Sequence, residues 1–200
     1  MGSSPAISSR TPVFVVTGPS GAGKGTLISL LLPRFPVLRA AVSATTRAQR
    51  AGERDGVEYW FLSDEEFARR IEAGGFLEWV WYVGNRYGTL YSEIDRIREG
   101  DCAPLLELET EGALAVKETV PGAVTVFVTA PVDELERRLR ERATESSGVI
   151  EERISLARRQ LEQADEFDHV VENDDRERAA DRLASIVGRE LDGAATMSGR

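Results

Sequence analysis

Long apolar runs, histidine, cysteine and lysine are what this 200-residue sequence has least of, and each shortage removes a class of function. No stretch approaches the about 20 consecutive apolar residues of a membrane-spanning helix. The opening MGSSPAISSR has neither a basic head nor an apolar run, so no secretory signal is expected and the chain is expected in the cytoplasm. Cys102, the single cysteine, cannot close an internal disulfide and fits a reducing compartment. His169 is equally alone, which leaves little from which to build a histidine-based zinc site or a Ser/His/Asp triad. Positive charge is short too: 25 Lys and Arg face 34 Asp and Glu, for a net charge of −9. That balance argues against a general nucleic-acid binder, because covering a phosphate backbone takes a broad basic face. A small anionic ligand needs only a local cluster. Lys24 and Lys117 are the only lysines among many arginines, so a lysine inside a glycine-rich loop marks a place where a compact point charge is wanted.

Apolar runs that read as buried strands alternate with amphipathic segments, the pattern of one α/β unit around a mainly parallel sheet. Strands are predicted over Val13–Thr17, Leu38–Val42, Pro104–Leu108, Val124–Thr129 and His169–Val171. Helices are predicted over Gly25–Leu32, Asp64–Ala73, Tyr91–Glu99, Glu111–Glu118, Val132–Glu141, Val149–Gln163 and Arg176–Leu191. Ser63 and Asp133 are good N-cap types at two of these starts. Between Thr45 and Thr89 the rhythm changes: GVEYWFLS and FLEWVWYV read as antiparallel strands around one helix, an insertion rather than another βα repeat. RATESSGV, residues 142–149, interrupts two charged helices and reads as a flap. The expected organisation is a tail over 1–10, a domain over 11–192 and a flexible tail over 193–200. Within the domain the core is 11–43 and 90–192, the insertion 44–89 and the flap or lid about 138–157.

Gly18, Pro19, Ser20, Gly21, Ala22, Gly23 and Lys24 satisfy G-x-x-x-x-G-K between a predicted strand and a predicted helix. Glycines let successive amides turn inward around an anion while the new helix points its positive end at the same spot, making a phosphate cradle. Lys24 is placed to reach the β and γ phosphates of a nucleotide. Gly25 stands where a metal-binding hydroxyl usually follows the lysine, and Thr26 comes next. Mg²⁺ is therefore expected to be held mostly through water, with Thr26 on a phosphate.

This GKGT loop resembles that of the nucleoside monophosphate kinases, which join two anionic nucleotides and so call for further cations. Arg47 and Arg50 can fork onto one phosphate, with Tyr59 adding a hydroxyl. The order S-x-T-T-R-x-x-R-x-G-E-x-x-G-x-x-Y from Ser43 to Tyr59 resembles guanylate kinases, and the likeness continues through FLEW, YGT and RLRERATES, from Val13 to about Asp174. The resemblance implies a three-layer P-loop NTPase fold with a GMP-binding α+β insertion and a lid. It implies ATP-dependent phosphorylation of GMP, and of dGMP, in purine nucleotide metabolism, with Mg²⁺. Ser43, Arg47, Arg50, Tyr59 and Tyr87 would hold GMP, mainly by its phosphate, while Glu78 and Thr89 would read its base. A carboxylate can accept from guanine N1–H and the exocyclic amine together, and a hydroxyl can donate to O6. Arg138, Arg142 and Arg153 would act from the lid on the transferring phosphoryl group, and Asn173 would lie beside the adenine of ATP.

LLELETEGA departs from the family pattern: Glu109 stands in the place of an aspartate, and Thr110-Glu111 replace an apolar-Gln pair. Glu107 and Glu109 alternate onto one sheet face, towards the cleft, for a GMP contact or a water-mediated contact to Mg²⁺. Two other readings stay open at this point: a binding module that grips a phosphorylated partner through the GMP site, and a kinase of another small phosphorylated acceptor. No nucleic-acid or membrane partner is expected, and monomer and homodimer are equally compatible with the sequence.

Overall fold

A computed structural model describes residues 11–141 and 147–198. In chain order the elements are β1 (Phe14–Thr17), α1 (Lys24–Leu31), β2 (Leu38–Ala40), β3 (Ala44–Thr45), β4 (Trp60–Phe61), α2 (Asp64–Glu72), β5 (Phe76–Tyr82), β6 (Asn85–Leu90) and α3 (Tyr91–Glu99). They continue as β7 (Ala103–Glu107), α4 (Thr110–Thr119), β8 (Val124–Thr129), α5 (Val132–Glu141), α6 (Ser147–Leu161), β9 (His169–Glu172) and α7 (Arg176–Ser198).

β1 is buried throughout because it is the middle strand of a five-stranded parallel sheet of order β2-β7-β1-β8-β9. A parallel sheet is covered on both faces, so its strands read as unbroken apolar runs. Alternate residues of the FVVT run and its neighbours then face opposite layers. Phe14 and Val16 join Leu27 and Leu31 of α1 and Leu183 and Val187 of α7 on one face. Val13 and Val15 join Ile94 of α3 and Ala113 and Val116 of α4 on the other. The result is a three-layer α/β fold whose loop 18–23 leaves the carboxyl end of the central strand.

A second sheet, order β4-β3-β6-β5, carries the insertion. It has its own core of Ala44, Phe67, Phe76 and Leu90, with the Phe67 and Phe76 rings stacked 4.3 Å apart. Ser63 caps α2 as expected, its Oγ accepting from the Glu66 amide at 3.1 Å. Helices α5 and α6 pack through a separate small cluster of Leu139, Ile154, Ala157 and Ile150.

Several sequence expectations need correcting. β4 is not antiparallel to its neighbour: Ala44 pairs with Trp60 in parallel, because residues 46–59 carry the chain back to the same end before the strand begins. Two strands escaped the pattern altogether, the two-residue β3 and the six-residue β6 that pairs with β5. Asp133 lies in the first turn of α5 rather than before it. The backbone of 193–198 belongs to α7, so the flexible tail read from residue 193 is helical to Ser198, in keeping with its alanines. The tail 1–10 and most of the flap, residues 142–146, lie outside the described residues.

Candidate active site

Gly18 opens the loop at a φ of 136°, where a Cβ would stand 2.0 Å from the Val128 carbonyl oxygen. Only glycine lets the loop leave β1 that close to β8. Gly23, with a φ of 90°, is the N-cap of α1, and a Cβ there would meet Asn173 Nδ2 at 2.4 Å. That close approach serves a contact: the buried Asn173 amide donates to the Ala22 carbonyl at 2.7 Å and holds the loop from below. Asn173 therefore sits under the phosphate loop, with Gly18, Pro19 and Ala22 buried beside it.

Cations ring the loop. Lys24 Nζ donates to the Gly18 carbonyl at 2.7 Å and to that of Pro19 at 3.3 Å. Arg138 Nη1 donates to the Gly21 carbonyl at 3.1 Å while its Nε is held by Glu134 at 2.7 Å. Arg153, on α6, donates from Nη2 to Ser20 Oγ at 3.0 Å. Arg142, the remaining lid arginine of the sequence reading, lies outside the described residues.

From this loop a cleft of about 640 Å³ runs to the insertion. Its walls bring together Ser20, Gly21, Gly23, Lys24, Gly25, Thr26 and Arg153 on one side and Ser43, Arg50, Tyr59, Glu78 and Tyr87 on the other, with Glu107 and Glu109 between. Arg47 stands just behind the wall. Its guanidinium pairs with Glu53 at 2.8 and 3.1 Å and lies 5.3 Å over the Tyr59 ring, whose edge meets Tyr87 at 5.9 Å. Glu53 also accepts from the Arg50 backbone amide at 2.8 Å, so one carboxylate holds the Arg47 guanidinium and the main chain at Arg50. The Arg47–Glu53 pairing raises the Arg47 pKa and lowers that of Glu53. Sequence reasoning gave Glu53 no role, although its place in R-x-x-R-x-G-E was the available signal.

Strand alternation points every second residue of β5 inwards: Glu78, Val80 and Tyr82 line the cleft, while Trp79 and Trp81 face outwards. Tyr82 was also missed, and this period of two could have found it. Burial pushes its hydroxyl up to about 12.

Glu78 is the unusual group. It is 6% exposed and pairs across the strands with Thr89, which is fully buried. Four buried side-chain atoms among the described residues lack any hydrogen-bond partner, and two of them are Glu78 Oε1 and Thr89 Oγ1. Burial raises the Glu78 carboxyl to about 7, the nearby Thr89 offsetting it only in part. Its other oxygen rests on Gly112 in the first turn of α4, where a Cβ would come within 2.6 Å of Oε2. Gly112→Ala is therefore expected to push the Glu78 carboxylate aside, a displacement that a crystal structure of the variant would show.

Glu107 and Glu109 hold raised pKa values through burial in the cleft walls, partly offset by Lys24. Among the described residues no three His, Cys, Asp or Glu side chains cluster as a metal site. The donors that do face the loop, Thr26, Glu107 and Glu109, are hard oxygens, which fits a Mg²⁺ ion held mainly by nucleotide phosphates and water.

A glycine cradle at a helix start, a lysine at its mouth and a second cluster of arginines and tyrosines across the cleft define a P-loop phosphotransferase that acts between two anionic ligands. The family model for guanylate kinase matches residues 9–190. A guanylate kinase of Rubrobacter xylanophilus is 46% identical over 185 residues, covering 92% of this chain and 97% of its own. One from Desulfitobacterium hafniense is 46% identical over 176 residues, 88% of each chain. The crystal structure of guanylate kinase from Anaplasma phagocytophilum superposes with a TM-score of 0.72 at 27% identity, covering 92% of this chain and 88% of that one. The chain belongs to the guanylate kinase family, and its activity is ATP-dependent phosphorylation of GMP. The binding-module and other-acceptor readings are not favoured. No helix among the described residues is long and apolar enough to cross a membrane.

Proposed function

We propose that the insertion side of the cleft holds GMP, the loop holds ATP, and the two phosphate tails meet between Lys24, Arg50 and Arg153. The observation that carries the acceptor assignment is the orphaned pair of Glu78 Oε1 and Thr89 Oγ1, an acceptor and a hydroxyl side by side in a buried wall. Guanine presents two N–H donors and a carbonyl in that order along one edge, whereas adenine presents no such set. A base that left a buried carboxylate unpaired would lose about 1–3 kcal/mol or more.

Ser43, Arg47, Arg50, Tyr59 and Tyr87 hold the GMP phosphate, with Glu53 fixing the Arg47 guanidinium. Glu109 faces the acceptor from the start of α4. Residues 18–26 wrap the ATP phosphates, and Asn173 supports them through Ala22. The reaction needs positioning and charge neutralisation more than covalent chemistry. A GMP phosphate oxygen forms a bond to the γ-phosphorus in line as the bond to the ADP oxygen breaks. Lys24 follows the group in flight, and Arg138, Arg142 and Arg153 neutralise it from a lid that also excludes water. Thr26, Glu107 and Glu109 would hold a Mg²⁺ ion by way of water, and the ion would add charge neutralisation on the phosphates. The reading extends to dGMP and places the reaction in the cytoplasm, in purine nucleotide metabolism.

A coupled assay of ADP release with GMP, dGMP, AMP and UMP tests this assignment. GMP and dGMP should turn over with kcat/KM at least about 100-fold above AMP and UMP. Equal use of AMP would overturn the role given to Glu78 and Thr89.

A further inference from the structure

Glu109 stands in the wall between two cavities. One is the nucleotide cleft, and the other is a space of about 480 Å³ between the β5–β6 hairpin and α6. On the far side of Glu109, Gln160 of α6 is 7% exposed and turns its amide inward, Nε2 donating to Glu109 Oε2 at 3.5 Å. A buried amide left without an acceptor is costly, so the contact holds both partners in place. Seven residues earlier on the same helix face, Arg153 reaches Ser20 of the phosphate loop. Helix α6 thus docks on the cleft at two points, one at the phosphate loop and one at Glu109. Glu109 is the N-cap of α4, and Glu78 rests on Gly112 in the first turn of that helix, so the two carboxylates flank one helix start.

We infer that Gln160 is a positioning residue for the acceptor nucleotide: its buried amide fixes the Glu109 carboxylate towards the cleft, tying α6 to the GMP side as Arg153 ties it to the ATP side. The inference rests on the proposed placement of GMP. The bond also sets a length requirement. Glu109 reaches Gln160 by its second methylene, so an aspartate at 109 would fall short of it.

The test is a double-mutant cycle with Gln160→Met, which keeps length and volume but removes the donor, and Glu109→Asp, which keeps the charge but withdraws it. Calorimetry on the full chain without metal measures GMP binding, and a non-hydrolysable ATP analogue is titrated separately. Each single change should weaken GMP binding about five- to tenfold, and the double variant should be no worse than the weaker single. Affinity for the ATP analogue should stay within about twofold, since Arg153 and the loop are untouched. Should Gln160→Met unfold the chain, Gln160→Leu, which also removes the donor, replaces it in the cycle and should show the same five- to tenfold loss of GMP affinity. Wild-type GMP affinity in Gln160→Met, multiplicative losses in the double variant, or equal weakening of GMP and the ATP analogue would overturn the inference. Failure of the wild type to bind GMP at all would instead sink the placement of GMP on which it rests.

Discussion

Replacing Glu78 with glutamine should lower kcat/KM for GMP about 100-fold at pH 8 while making the protein more stable. The loss of activity follows from converting one acceptor oxygen into an amide NH₂ donor that faces guanine N–H groups. The gain in stability follows from the raised carboxyl, which ionises near pH 7 in the folded chain against an ordinary value of 4.5. The folded state holds that proton more tightly than the unfolded one. Its contribution is complete below about pH 4.5 and is lost as the pH rises through about 7. At pH 8 the cost of the buried charge is on the order of 3 kcal/mol, which glutamine removes. A thermal midpoint several degrees above the wild type at pH 8, but not at pH 4, is the expected result. In the wild type the KM for GMP should rise as the pH falls below about 7, because a protonated carboxyl accepts fewer hydrogen bonds. An unchanged kcat/KM for GMP in the variant would refute the role of Glu78.

Lys24→Met should lower kcat about 10³-fold with little change in the KM for GMP, because a positioned charge at the transferring phosphoryl group acts mainly in the transition state. The same side chain ties the loop through the Gly18 and Pro19 carbonyls, so a modest loss of stability should accompany the loss of turnover. Stopped-flow or coupled ADP release separates the two effects when read beside a melting curve. If kcat stayed within about tenfold of the wild type, the ammonium could not be the group that follows the phosphoryl.

How much of this was legible beforehand depended on how local its cause is. The phosphate loop is spelled out because glycine at 18 answers to a carbonyl of the adjoining strand that no other side chain could approach so closely. Central strands announce themselves because burial on both faces favours apolar and β-branched residues, with threonine the one polar type among them. β6 stayed hidden for a related reason. Its Gly88 lies where a Cβ would be 2.7 Å from the Glu78 carbonyl, so a residue that reads as a turn is in fact demanded by strand pairing. β3 and β4, two residues each, are too short to show any period.

Contacts across the fold were not legible either. The Asn173 amide on Ala22 spans 151 residues, and the Gln160 amide on Glu109 joins helices that share no motif. Glu53 illustrates the middle case, visible as a letter in a pattern but not as the carboxylate that holds the Arg47 guanidinium and the Arg50 main chain.

The most direct measurement is a crystal structure with GMP and a non-hydrolysable ATP analogue bound together. The account predicts guanine N1 and its exocyclic amine within hydrogen-bond distance of Glu78, O6 at Thr89 Oγ1, and the triphosphate wrapped by residues 18–26. A purine turned away from Glu78, or a triphosphate bound outside that loop, would contradict it.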